Sequence, residues 1–237
     1  MKEKVSISIT KSLLELISIY AKNHKVNRSE IIEMALENFF SSQIPKKAYI
    51  LMKKGHLWFL DYKFKNKKII EYHQEFLENA NIKERYIITN DKSFSKEGFK
   101  TIYDEGSGRH QALKVISEKT DEPIIVLNGD TIHTYDLNKH IAFFGYNKAP
   151  VCVGVMSKPN AINFNKIILT GIQIEKIGKD LNTDIVDIGV YIINPQVFNF
   201  VKDDISYVDF YEILSAKGKL IAYFTQDLAL NIEEIVK

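Results

Sequence analysis

Cysteine, proline and glycine are scarce in this 237-residue chain, at 1, 5 and 11 residues. One cysteine cannot close an internal disulfide, so no covalent staple holds the fold. Cys152 lies in the apolar run Val151-Cys-Val-Gly-Val155 and reads as a buried structural thiol. No apolar run approaches the roughly 18 residues that a membrane-spanning helix needs. The N-terminus begins with charged and alternating residues, not the apolar core of a secretion signal, so a cytoplasmic protein is expected. A net charge of +2 does not mark a strongly basic nucleic-acid binder, so a DNA partner has to be argued from pattern and placement. The six histidines show no metal-ligand spacing and are expected at surface or core places. At 45% hydrophobic and 26% charged, the chain is of globular type and long enough for one or two domains.

The N-terminal segment is patterned. Residues 5 to 10, Val-Ser-Ile-Ser-Ile-Thr, alternate apolar and polar with period two. A strand there puts Val5, Ile7 and Ile9 on one face and Ser6 and Ser8 on the other. Thr10 reads as an N-cap, followed by Leu13, Leu14, Ile17, Tyr20 and Ala21 at helical spacing. Asn23 to Val26 interrupts the pattern. Asn27-Arg-Ser-Glu30 has the form of a capping box and opens a second helix, with Ile31, Ile32, Ala35, Leu36, Phe39 and Phe40 on its apolar side. So short a unit cannot bury this much apolar surface alone, and pairing with a second copy solves the problem.

This strand-helix-helix segment resembles the ribbon-helix-helix family of Arc, MetJ and CopG repressors. The resemblance implies an intertwined homodimer, or dimer of dimers, on a palindromic operator of double-stranded DNA, with an antiparallel ribbon in the major groove. Lys4, Ser6 and Ser8 would face the bases, with Lys4 the stronger reader. Asn27, Arg28 and Ser29, at the start of the second helix, would hold phosphates.

Ser41-Ser-Gln-Ile-Pro-Lys-Lys47 is polar, carries a proline and reads as a boundary. Strands are expected at Ala48–Met52, Tyr86–Thr89, Pro123–Leu127, Val151–Met156, Ile167–Leu169 and Ile185–Ile193. Helices are expected over Ile69–Ala80 and near 109–118, 137–145, 195–202 and 207–216. That alternation predicts a three-layer α/β domain with a largely parallel sheet. Trp58, Phe59, Tyr62 and Phe64 crowd one segment; packing in a core or at an interface is the first reading, and an aromatic platform for a base the second.

From about residue 47 onward the order of landmarks resembles a sugar-phosphate nucleotidyltransferase. The landmarks are Lys67-Lys-Ile-Ile-Glu-Tyr72, Gly108-Arg-His-Gln-Ala-Leu113, Ile124-Ile-Val-Leu-Asn-Gly-Asp130, Glu175-Lys176-Ile177 and Asp187-Ile-Gly-Val-Tyr191, the last followed by Asn194-Pro-Gln-Val-Phe. The resemblance implies a nucleotide loop at Gly108 and His110 and a metal carboxylate at Asp130. It also implies sugar-phosphate contacts from Glu175, Lys176, Asp187 and Gly189. The chain departs from the family where it carries Lys53-Lys-Gly-His-Leu-Trp58 in place of a glycine-rich, arginine-bearing phosphate loop. It also lacks the activating lysine, and it places Leu228 at the second metal carboxylate, with Asp227 one residue away.

These readings lead to an α/β protein: a ribbon-helix-helix domain at 1–42, a linker at 43–47 and a nucleotidyltransferase-like, Rossmann-like domain at 48–237. The expected function is a sequence-specific transcriptional regulator, a repressor, whose large domain has lost catalysis. That domain would sense a sugar phosphate, nucleotide sugar or nucleotide, or serve in dimerisation. No catalytic residue, cofactor, metal site or membrane partner is expected, with Mg2+ admitted only where activity is kept. The alternatives are an active sugar-1-phosphate nucleotidyltransferase that also binds DNA, and a regulator whose large domain binds only protein.

Overall fold

A computed structural model describes residues 6–41, 44–52, 54–105, 109–201, 207–227 and 229–235. The chain divides into two compact units, Met1–Gln43 and Ile44–Lys237.

The first unit holds helices α1 (Lys11–His24) and α2 (Arg28–Ser41). α1 ends where Lys25 turns left-handed at φ 55° and its N–H reaches the Ala21 carbonyl. α2 opens on the capping box read from sequence. Asn27 N–H donates to Glu30 Oε2 at 2.9 Å, and Glu30 N–H donates to Asn27 Oδ1 at 2.8 Å. At Thr10 no side-chain cap bond forms. Residues 6–10 form no strand, since a ribbon needs a partner backbone and one copy offers none here. Among the described residues of this unit only Ala21 is buried, while Leu13, Leu16, Ile19 and Met34 are 50–64% exposed.

The second unit begins with β1 (Lys47–Leu51), a 3-10 helix (Lys54–Asp61), the short strands β2 (Lys63–Phe64) and β3 (Lys67–Lys68), and α3 (Ile69–Asn79). β4 (Glu84–Thr89), β5 (Lys100–Tyr103), α4 (Arg109–Ser117), β6 (Ile124–Asn128), β7 (Thr131–His133) and α5 (Leu137–Asn147) follow. Then come β8 (Val151–Ser157), β9 (Lys166–Thr170), β10 (Gln173–Gly178) and β11 (Ile185–Ile193). A 3-10 helix (Pro195–Phe200), α6 (Tyr207–Ala216), β12 (Leu220–Phe224), β13 (Ala229–Asn231) and α7 (Ile232–Ile235) complete the unit. Where a helix is expected near 195–202, the structure has the 3-10 helix instead, capped by Asn194 on the Gln196 N–H.

Nine strands form one sheet in the order β5-β4-β1-β6-β11-β8-β12-β10-β9. β5, β4, β1 and β6 run parallel, as do β8 and β12. β11 is antiparallel to both β6 and β8. The sheet is therefore mixed, which corrects the expectation of a largely parallel one. β11 is buried along almost its whole length, so its apolar run announces a central strand but not its direction.

Strand alternation sends side chains to two cores, one on each face. Ala48, Ile50, Ile87, Leu127 and Ile188 pack under Phe76 and Leu77 of α3 and Ile141 and Phe144 of α5. Tyr49, Leu51, Val126 and Tyr191 pack under Leu113 and Ile116 of α4 and Phe210 and Leu214 of α6. Helix, sheet and helix make three layers. Cys152 is fully buried in the first core, and burial pushes its thiol up, as expected of a structural cysteine. Among the described residues, no helix is long and apolar enough to cross a membrane.

Candidate functional site

The sheet topology locates a crevice. From β1 the chain moves outward to β4 and β5, then returns to β6 on the other side of β1. The carboxyl ends of β1 and β6 therefore diverge at a switch point, the usual ligand crevice of such sheets. Asn128, Gly129 and Asp130 lie there, because Asn128 pairs in register with Leu51, the last residue of β1.

Close backbone approach shapes this corner. Gly129 N–H donates to the Leu51 carbonyl at 3.1 Å. A Cβ on residue 129 would fall 2.5 Å from Met52 Cε and 2.9 Å from Ile50 Cγ2, so only glycine fits without a shift. Asp130 is half-buried; its Oδ1 accepts from Thr131 Oγ1 at 3.1 Å, and its backbone carbonyl accepts from Ile232 N–H at 2.9 Å. β13 lies antiparallel to β7, with Asn231 opposite Thr131. Asn231 Oδ1 caps α7 by accepting from Glu233 N–H.

The neighbouring wall is the bulge of β11. Asp187 pairs with Val155 and Tyr191 with Val153, so β11 carries two extra residues there. Asp187 staples them. Its Oδ1 accepts from Gly189 N–H at 2.7 Å, and its other oxygen accepts from the Tyr191 hydroxyl. Gly189 sits at φ +76°, where a Cβ would fall 2.4 Å from Asn128 Nδ2. The Asn128 amide is thus pressed against Gly189, and its Oδ1 is buried without a hydrogen-bond partner among the described residues.

Two buried histidines fix these backbones. His73 of α3 donates from Nε2 to the Gly129 carbonyl at 3.1 Å, and His133 of β7 donates from Nε2 to the Ile188 carbonyl at 2.7 Å. Burial lowers the pKa of both; His133 falls to about 3, and the backbone bond and the Asp130 charge oppose the fall at His73. Both rings are therefore neutral, with the proton on Nε2. The sequence reading gave them only a surface or core place, since nothing local marks a histidine whose partner lies 56 or 55 residues away.

The other residues singled out in the sequence scatter. Glu175 and Lys176 are exposed on β10, at a bulge opposite β9. Glu175 accepts from the Thr170 hydroxyl, and Ser215 Oγ of α6 donates to its backbone carbonyl at 2.6 Å. Three strands stand between β10 and β6 in the sheet, although β9 reaches β11 at Val186. Asp227 is exposed on a turn, and Leu228 lies outside the described residues. The backbone neighbour of Asp130 is the start of α7, through the Ile232 amide. Lys4 and Gly108 lie outside the described residues, and His110 is in the first turn of α4 with its side chain likewise outside them. Ser6, Ser8, Asn27, Arg28 and Ser29 are all exposed. Among the described residues no group of three or more His, Cys, Asp or Glu could hold a metal ion.

No family model and no curated protein matches this sequence. Solved structures do match its fold. A candidate glucose-1-phosphate thymidylyltransferase from Bacillus anthracis, in complex with a sucrose, aligns with TM-score 0.68 at 17% identity. The alignment covers 78% of this chain and 89% of that one. The inositol-1-phosphate CTP transferase of T. maritima aligns with TM-score 0.62 at 15% identity over 80% and 89%. A UDP-glucose pyrophosphorylase complexed with UDP-glucose aligns with TM-score 0.66 at 15% identity over 81% and 95%. At these identities the similarity establishes the fold, a mixed α/β nucleotidyltransferase-like domain.

Two expectations are corrected by this result. The chain was expected to be a DNA-binding repressor, and its large domain was expected to have lost catalysis. The matched proteins are named for nucleotidyl transfer, not for regulation. A single carboxylate at Asp130 is no sign of lost activity. Magnesium in such sites takes one or two carboxylates and completes its shell with substrate phosphates and water.

Proposed function

We propose that this chain is a sugar-1-phosphate nucleotidyltransferase. A phosphate oxygen of a sugar 1-phosphate attacks the α-phosphorus of a nucleoside triphosphate. The bond between that phosphorus and the bridging oxygen breaks, and pyrophosphate leaves. The observation that carries the reading is Asp130, a half-buried carboxylate at the switch point of a nucleotidyltransferase-like sheet.

Asp130 fits one place in the shell of a magnesium ion, as a hard oxygen ligand at the mouth of the crevice. That ion, when bound, neutralises the triphosphate charge that builds up in the transition state. The chain's own residues keep Asp130 in place: Thr131 orients it, His73 fixes the Gly129 backbone behind it, and the Ile232 amide ties its carbonyl to the start of α7. Asp187 and Gly189 form the wall on the sugar side, with Asp187 acting through the bulge because Gly189 and Tyr191 take up both its oxygens. Glu175 and Lys176 supply an exposed acceptor and cation for the sugar phosphate, and the motif Gly108-Arg-His-Gln-Ala-Leu113 supports a nucleotide role for Gly108 and His110.

The N-terminal unit pairs with a second copy in this reading, in the manner of a ribbon-helix-helix dimer. Its support is the apolar surface left exposed on Leu13, Leu16, Ile19 and Met34 in a segment too small for a core of its own.

The test supplies each nucleoside triphosphate in turn with Mg2+ and a panel of sugar 1-phosphates, and measures pyrophosphate. At least one pairing should release pyrophosphate over many turnovers. Asp130→Asn should lower kcat by about 100-fold or more, with thermal stability unchanged. Absence of turnover with every pairing would refute the reading.

A further inference from the structure

We infer that the indole of Trp58 is the stacking surface for the base of a nucleotide bound in the crevice. The inference rests on the function proposed above and adds a binding residue to it. The 3-10 helix Lys54–Asp61 follows directly on the carboxyl end of β1, one wall of the switch point. Its next residue after Trp58, Phe59, is buried in a cluster with Ile69, Ile132 and Ile232. Ile132 and Ile232 belong to the two segments that grip Asp130: β7 begins at Thr131, and the Ile232 amide bonds the Asp130 carbonyl. Trp58 therefore projects from a segment anchored next to the metal-side carboxylate.

Ion pairs and ring contacts hold this segment. Asp61, at the end of the same helix, is held by Lys96 at 2.6 Å and Lys68 at 3.1 Å, and the Lys96 bond, followed by that to Lys68, keeps its carboxyl below the usual carboxylate range. Phe59 and Tyr62 meet the indole at 66° and 77°, with centroids 4.2 and 6.3 Å away. No described ring lies parallel to it. Of the four crowded aromatics, Phe59 is buried and Tyr62 and Phe64 are half-buried, while Trp58 remains 51% exposed. A large aromatic left half in water costs apolar hydration that a fold can avoid by turning it inward, as it turns Phe59. A flat ring held at its edges and open to solvent, on a segment whose Phe59 packs against the residues flanking Asp130, suits the π-face that every nucleobase carries.

Trp58 is the only tryptophan in the chain, so its emission reports its own surroundings. Titration with each nucleoside triphosphate and Mg2+ should change that emission saturably, and inorganic tripolyphosphate with Mg2+ should not. Trp58→Ala should weaken nucleotide binding, measured by calorimetry, by roughly 5- to 150-fold. It should raise the KM for the nucleotide with kcat little changed, since a base contact far from the reacting phosphorus binds ground and transition states alike. Trp58→Phe, which keeps a smaller ring in the same place, should recover part of the affinity. Nucleotide binding with unchanged emission, or an affinity for Trp58→Ala within about twofold of the parent, would overturn the inference and leave the proposed activity standing. Emission that responds to sugar 1-phosphate alone would overturn it too. Failure of every nucleotide to bind the parent protein would overturn both.

Discussion

Gly189→Ala tests whether the wall of the crevice is built as described. Residue 189 has φ +76°, and an alanine there pays the left-handed penalty of about 1–2 kcal/mol. Its Cβ would also stand 2.4 Å from Asn128 Nδ2 and 2.8 Å from Asn128 Cβ. Asn128 is the last residue of β6 and cannot retreat freely, so overpacking adds about 1–3 kcal/mol. The expected loss is about 2–5 kcal/mol, read as a fall in the urea midpoint at constant m-value. For a unit of this size that is a drop in Tm of roughly 5–15 °C. Catalysis should fall as well, because Asn128 lies two residues before Asp130. A second substitution separates the two costs. Asn128→Ala removes the Nδ2 contact but keeps the Cβ at 2.8 Å and rescues only part, whereas Asn128→Gly removes the whole side chain. The Gly189→Ala/Asn128→Gly double variant should therefore recover the steric part and keep the backbone part, giving a coupling of about 1–3 kcal/mol. A Gly189→Ala protein within about 0.5 kcal/mol of the parent, or a double variant showing no coupling, would refute the packing argument.

Three further outcomes follow from the structure. His133 and His140 are pushed down to about 3, mainly by burial, against an ordinary value of 6.5, and His73 is shifted in the same direction. Their stability contribution is complete above pH 6.5 and is lost as pH falls, because the unfolded chain takes up protons that the fold refuses. His133 and His140 should each cost about 1.4 kcal/mol per pH unit down to about pH 3, and His73 adds to the loss in the same direction. Urea midpoints at pH 7 and pH 5 measure this, and His133→Gln, which keeps a donor for the Ile188 carbonyl, should remove one share of the slope; an unchanged slope counts against it. Asn27→Ala breaks the reciprocal cap of α2 and should cost about 1 kcal/mol, with faster hydrogen exchange at the Glu30 amide, while unaltered exchange there would deny the cap. Leu16→Glu puts a charge on the exposed apolar face of α1 and should convert a dimer to a monomer in light scattering at micromolar concentration; a dimer that persists would show that this face does not pair.

Much of the second unit was written locally. The helix Ile69–Asn79 falls within one residue of its expected end, and β11 spans Ile185–Ile193 as read, because long periodic or continuous apolar runs have few alternatives. The strands β2, β3, β5, β7, β10, β12 and β13 were not read. Three or four apolar residues fit strand, turn or buried helix equally, and only pairing decides among them. The Asn27–Glu30 box was legible because cap and partner are three residues apart. Asp130 was legible too, as the polar end of an apolar strand.

The backbone partner of Asp130 was not legible: the antiparallel pairing of β13 with β7 brings the Ile232 amide onto its carbonyl, since register is set by backbone hydrogen bonds across strands. Nor were the partners of Asp187 legible, the Gly189 amide and the Tyr191 hydroxyl that the β11 bulge folds onto it. Trp58 was one of four similar aromatics until Phe59 went inward and Trp58 stayed out. The sequence by itself determined the scarcity of staples, the capped second helix, the layered α/β plan and the carboxylate at the end of β6, all of them matters of composition or short-range spacing. Tertiary structure alone decided strand direction, the partners of buried polar groups and the residues that share the crevice, because these depend on contacts between segments far apart in the chain.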